Sequence, residues 1–167
     1  QITGDSIKLL SNQETNKLDS LKILGNSFII QKDSIDPENF NQIKGRNMFG
    51  KFIDNELRTL LVKGNGEAVN FNRNEEGVLE TITKQYCSNI EFELLNSEIN
   101  QIKCLNMSDG KTYPPSLYPE NDRRIKGFIW RETEQPKTKD DIFNKKSTKS
   151  KKNEVFLNSK KNNFNRN

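Results

Sequence analysis

The sequence predicts an all-β protein: an antiparallel sheet folded over on itself, or a jelly-roll with stacked layers, followed by a basic tail. Three observations predict it. Short segments recur on a glycine roughly every twenty residues. Within them apolar and polar residues alternate with period two, the pattern of a half-buried strand. Turn-forming pairs stand between the alternating runs.

The short unit appears four times, as Ile2-Thr3-Gly4-Asp5-Ser6, Ile23-Leu24-Gly25-Asn26-Ser27, Ile43-Lys44-Gly45-Arg46-Asn47 and Val62-Lys63-Gly64-Asn65-Gly66. A β-branched residue precedes each glycine by two positions. A fifth, weaker copy is Tyr86-Cys87-Ser88-Asn89-Ile90, with serine in the glycine's place. A longer pattern repeats at double the period: Asn16 to Asn26 parallels Asn55 to Asn65, as Asn, x, apolar, x, x, apolar, x, apolar, x, Gly, Asn. A third copy, Ser97 to Asn106, lacks the glycine. Internal repeats of this kind point to a sheet assembled from similar hairpins.

Each unit reads as a strand. Leu21, Ile23 and Gly25 alternate with Ser20, Lys22 and Leu24; Leu60, Val62 and Gly64 alternate with Thr59, Leu61 and Lys63. Tyr86, Ser88, Ile90 and Phe92 alternate with Cys87, Asn89, Glu91 and Glu93. Asp54-Asn55, Asn65-Gly66, Glu76-Gly77 and Asn96-Ser97 supply the turns. A glycine inside a strand marks a bulge or sharp bend. Recurring at one place in successive strands, it bends the whole sheet along a line. These repeats occupy residues 1–111. Residues 112–143 form a Pro-rich capping or docking segment: Pro114, Pro115 and Pro119 stop the sheet, and Ile125 to Trp130 is either one last strand or a cap over the terminal repeat. Residues 144–167 read as a disordered basic tail.

Composition bounds the function. The chain is 31% hydrophobic and 30% charged, which is lean for one large core. Eight cations against Glu154 give the tail a net charge of +7, so residues 1–143 carry −3 of the overall +4. An acidic body argues against a nucleic-acid partner, since such binders carry a basic structured face with interleaved aromatics. The tail admits three readings: solubilising disorder, contact with an anionic surface, or nucleic-acid binding. Phe156 and Phe164 are its only aromatics. There is no transmembrane apolar run. The chain opens on Gln1 in mid-repeat, so a longer parent with further repeats is expected.

Catalysis is not expected. There is no histidine, and no nucleophile elbow, phosphate loop or zinc signature. Asp140-Asp141 and Glu75-Glu76 are neighbours that point apart on an extended chain and read as solvated surface. Asp33, Asp36 and Glu38 lack the glycine and closing glutamate of a calcium loop and read as an ordinary loop. No metal or cofactor is expected. Cys87 and Cys104 flank a hairpin turning near Asn96, which brings them roughly opposite. They are either two small buried residues or, in an oxidising compartment, a disulfide. The apolar strand face is either simple core or an open trough for acyl chains. Its candidate lining is Leu21, Ile23, Ile43, Phe49, Leu60, Val62, Ala68, Ile90, Phe92 and Ile102.

The stretch from Asn55 to Ala68 resembles the repeat of OstA-like proteins, the LptA-type domains of lipopolysaccharide transport. Gln42 to Phe52 resembles the strand pair before it. Leu117 to Arg131, continuing to Lys139-Asp140-Asp141-Ile142-Phe143, resembles the C-terminal part of OstA-like proteins from Bacteroidetes-type bacteria. The resemblance implies an antiparallel β-jellyroll whose apolar interior holds the acyl chains of lipopolysaccharide or lipid A, a periplasmic, possibly outer-membrane-associated location in a Gram-negative cell, and partners joined end to end by strand pairing: other jellyroll proteins or an outer-membrane translocon. A groove suits such work, because an acyl chain exposed to water costs about 0.8 kcal/mol per CH₂. The alternative is a structural or adaptor β-domain of an outer-membrane assembly, without lipid.

Overall fold

The computed structural model describes residues 1–96 and 98–142. The tail at 144–167, Ser97 and Phe143 lie outside the described residues. The fold is all-β. Seven strands form one antiparallel sheet: β1 (Ile2–Thr3), β2 (Ser6–Ser11), β3 (Leu18–Lys32), β4 (Phe40–Ile53), β5 (Glu56–Arg73), β6 (Leu79–Leu95) and β7 (Glu98–Tyr113). Strands β3 to β7 lie side by side in chain order, and β1 and β2 together pair along the outer side of β3. The first and last strands do not pair, so the sheet is open. Tight turns set the registers. Asp54 and Asn55 both take positive φ (53° and 65°), as a two-residue hairpin turn requires, and Asn96, just past the end of β6, is also left-handed (52°).

All the long strands bend along one line. Pairing shifts between Leu24 and Ser27 in β3, Lys44 and Asn47 in β4, Lys63 and Gly66 in β5, and Cys87 and Asn89 in β6. The two strand types contribute differently. On β3 and β5 two consecutive residues turn left-handed: Gly25 and Asn26 (φ 67° and 48°), then Gly64 and Asn65 (80° and 53°). Facing them, β4 and β6 pass with one residue, Arg46 or Ser88. Asparagines on these intervening strands tie the line down: Gly25 N–H donates to Asn47 Oδ1 (3.0 Å) and Gly64 N–H to Asn89 Oδ1 (3.1 Å). Asn65-Gly66, read above as a turn, is therefore a bulge in the middle of β5. The third long repeat also holds. Asn106 on β7 stands where Gly25 and Gly64 stand and has φ 58°, asparagine being among the residues that best tolerate that region.

Two cores result. The first joins Leu21, Ile23, Met48, Leu60, Val62, Ile90 and Phe92 from one side of the bend with Ala68 and Cys87 from the other, and Ile29 and Ile43 pack against it. One face of the sheet thus closes on itself across the bend. The second core lies on the opposite face beyond the bend. Phe28, Ile30, Phe40, Val69, Phe71 and Ile82 are covered there by Tyr118 and Ile125, with Phe128 and Trp130 packed alongside.

Residues 114–130 form a strap, not a strand. Pro114 and Pro115 end β7, and short 3-10 turns follow at Pro115–Leu117 and Glu120–Asp122. Buried Gln42 holds the strap: its Nε2 donates to Arg123 O (2.7 Å) and its Oε1 accepts Ile125 N–H (2.8 Å). The Arg124 guanidinium sits 4.8 Å from the rings of both Phe40 and Phe128. At the other end of the chain, Gln1 Nε2 donates to Ile129 O (2.7 Å). Residues 131–142 belong to a separate unit with 3-10 turns at Glu132–Glu134 and Asp140–Ile142. There Asp141 Oδ2 accepts the N–H groups of Lys137 and Thr138 (3.0 and 2.9 Å).

Candidate functional site

Nine of the ten candidate lining residues converge on the first core. Leu21, Ile23, Leu60, Val62, Ala68, Ile90 and Phe92 are buried in it, and Ile43 and Ile102 are half-buried against it. Phe49 is the exception. It lies on the outer face, where the Lys63 ammonium approaches its ring at 5.7 Å, and Met48, with no exposure, takes the inner place. The cause is the bend. A strand that gives one residue to a two-residue bulge changes the face of its alternation there. Extrapolating from Ile43 past Arg46 therefore picks Phe49 when Met48 is inside. The same shift at Ser88 corrects the reading of β6: Cys87 is inside with Ile90 and Phe92, and Tyr86 is outside.

Next to the bend, the interior is lined by large side chains on one side and small ones on the other. Across the bend the row reads Ser27, Gly45, Gly66, Cys87 and Ser108. The Ser27 hydroxyl, fully buried, donates to Gly45 O (2.9 Å). Glycine is required where strands press closest. A Cβ on Gly4 would lie 2.4 Å from Ile23 Cγ2, and one on Gly45 only 2.3 Å from Val62 Cγ1. In the third repeat the equivalent pair is Cys87 and Cys104, joined as a disulfide with Cα atoms 5.7 Å apart. Cys104 precedes Asn106 as Ile23 precedes Gly25 and Val62 precedes Gly64. Cys87 precedes Ser88 as Gly4 precedes Asp5 and Gly45 precedes Arg46. A covalent bond therefore stands where earlier repeats place glycine under a β-branched side chain. The fifth short copy aligns on Cys87, one position before Ser88.

The sheet's two edges differ. On β2, Ile7 (48%), Leu9 (56%) and Leu10 (42%) are exposed, and its outer side is unpaired. The β7 edge carries Lys103, which pairs with Glu91 (3.7 Å) and Glu93 of β6, and is stapled by the disulfide. Asp33 and Asp36 serve the β3–β4 loop. Asp33 Oδ1 accepts Ile35 N–H (2.8 Å), and its other oxygen meets Arg73 at 2.8 Å. Burial pushes the Asp33 carboxyl up, but these hydrogen bonds and the Arg73 charge outweigh it and hold its pKa below the ordinary value. Asp36 Oδ1 accepts Glu38 N–H (3.0 Å).

Fold and lining together define an open, bent antiparallel β-module with one apolar face turned inward. No helix among the described residues is long and apolar enough to cross a membrane. No protein-family model matches the chain, and no curated protein matches it in sequence.

Proposed function

We propose that this chain is a periplasmic module of lipopolysaccharide transport, which holds acyl chains along its inward apolar face and joins neighbouring β-modules by strand pairing toward the outer membrane. One observation carries the reading: the inner face runs unbroken from the first core to an unpaired edge, where β2 exposes Ile7 and Leu9. Repeat geometry puts these two residues in line with Ile90 and Phe92 of β6. An apolar face that continues to a joinable edge suits a conduit assembled from several modules. The Cys87–Cys104 disulfide fits an oxidising compartment outside the cytoplasm. Photo-crosslinkers at Leu60 and Val62 test the proposal in cells. Lipopolysaccharide captured at both, and not at outward Lys63, is the expected result. Capture at Lys63 alone, or at none of the three, refutes lipid conduction.

A second reading has its own observation. Ile23, Met48, Val62 and Ile90 have no exposure, so the interior is filled by the chain's own side chains, as in a structural adaptor that carries no lipid. Under it, crosslinkers at Ile7 and Leu9 capture a protein partner while Leu60 and Val62 capture no lipid.

A further inference from the structure

A shallow cleft runs along β5, β6 and β7 from the bend, where Gly66, Cys87 and Ser108 form its floor, to the outer face under the strap. It consists of two adjoining cavities of about 580 and 210 Å³ that share Tyr86 and Asp109. The larger begins at the bend, beside Asn65, Ser88 and Ser108. The smaller ends under the strap, at Tyr118 and Asp122. The larger alone falls within the range typical of ligand clefts, roughly 300–1,000 Å³.

Tyr86 is the centre of this cleft and is 44% exposed. No other aromatic ring among the described residues is as exposed. A large ring left open on a sheet face, with cover available nearby, presents a flat apolar surface and a hydroxyl together. Its surroundings are ordered. The Lys84 ammonium stands 5.4 Å from the ring centre, 3.2 Å from Asp122 and 3.7 Å from Glu67. Burial alone would lower the pKa of Lys84; hydrogen bonds to Tyr86 and Asp122 outweigh it and keep the group charged. Strand register sets Glu67 and Asp109 on either side of Tyr86, and Lys84 beside Lys111 in the next row.

The charges around the ring are interleaved: Glu67, Asp109 and Asp122 against Lys84 and Lys111. An anion meets carboxylates here and a cation meets ammonium groups. A neutral polyol meets acceptors and donors in turn, and a pyranose ring also has a C–H face to lay on the tyrosine. We propose that this cleft binds a neutral saccharide, with Tyr86 as the stacking platform and Asp109 and Lys111 as hydrogen-bonding groups. The proposal stands apart from the lipid reading, since its recognition groups, Tyr86, Asp109 and Lys111, lie on the opposite face of the sheet.

Titration of the ¹⁵N-labelled chain with N,N′-diacetylchitobiose and with lactose tests it, with citrate and spermidine as charged controls. At least one disaccharide is expected to give saturable shifts at millimolar concentration, centred on Tyr86, Asp109 and Lys111. Tyr86→Ala should weaken binding by about tenfold or more, as loss of an aromatic anchor does. Asp109→Asn should weaken it severalfold, and Leu9→Ala on the far edge should leave it unchanged. Tyr86 and Asp109 are exposed, so both variants are expected to keep the dispersed spectrum of the folded chain. Absence of saturable shifts with both sugars, equal response to citrate or spermidine, or full binding by Tyr86→Ala overturns the proposal.

Discussion

The equivalence of Cys87–Cys104 with Gly45–Val62 leads to a stability experiment with two double variants. The disulfide closes a loop with a sequence separation of 17. Chain-entropy arguments give such a loop about 3 kcal/mol of stabilisation at 25 °C. For a urea m-value of about 1.5 kcal/mol/M, that shifts the unfolding midpoint by about 2 M. Reduced wild-type protein is the first comparison. Replacing both cysteines by serine loses the same constraint and leaves a hydroxyl in the Cys87 site, which is only 6% exposed, at a further cost of about 1–3 kcal/mol. The informative variant is C87G/C104V, which installs the pair that the preceding repeat uses. Glycine in a strand costs about 0.5–1 kcal/mol, and the added valine carbons return about as much. This variant should therefore unfold within about 1 kcal/mol of the reduced wild type, and well above C87S/C104S. Urea unfolding followed by far-UV circular dichroism measures all four proteins. If C87G/C104V falls to or below the serine variant, the two sites are not geometrically equivalent. If oxidation and reduction give the same midpoint, the bond contributes no constraint.

Three further outcomes follow from the same geometry. Gly45→Ala should destabilise by about 1–3 kcal/mol through contact with Val62, and the same change should cost much less in a Val62→Ala background, a coupling that a double-mutant cycle in urea would read directly. Asn106→Gly should leave stability within about 0.5 kcal/mol of wild type, whereas Asn106→Ala should cost about 1 kcal/mol, because only alanine resists the left-handed backbone there; similar losses for both would mean that the asparagine side chain matters and not its φ. Asp33 has a folded pKa held below its ordinary 3.8, so its contribution is present above that value and disappears as pH falls through and below it; midpoints measured from pH 2 to 7 should show an acid loss that Asp33→Asn reduces.

The repeat was legible because its glycines answer to constraints no other residue meets well. Gly25 and Gly64 turn left-handed, and Gly4 and Gly45 lie against β-branched side chains. The all-β antiparallel fold followed from alternation and turn pairs. The facing of β4 and β6 beyond the bend did not. Whether a strand keeps or changes its face at a bulge depends on how many residues its neighbour supplies, which one strand's sequence does not contain. For that reason alternation alone puts Phe49 and Tyr86 inside and leaves Met48 outside. The second core carried a usable signal: Phe28 and Ile30 alternate, as do Val69 and Phe71. Its cover was harder to see, since Ile125 to Trp130 has the composition of a strand but coats the sheet with Gly127 at φ 95°. The disulfide was one of two open readings, and only the register across the bend brings the cysteines together.

The bend also constrains what can add to the free edge. Strands that give two left-handed residues alternate with strands that give one. In β1 and β2 the single-residue role falls to Asp5, whose N–H donates to Gly25 O (2.9 Å) and whose carboxylate accepts Asn26 Nδ2 (3.1 and 3.2 Å). A strand that paired with β2 alone could be regular. One that continued past Asp5 onto β1 would have to supply its own left-handed pair opposite Asp5, as β5 does opposite Arg46. A regular strand extended through that point would fall out of register by one residue and turn its apolar side chains outward. A strand that stops at β2 thus needs no bulge and one that spans β1 needs one, and in either case correct register keeps Ile7 and Leu9 on a continuous inner face.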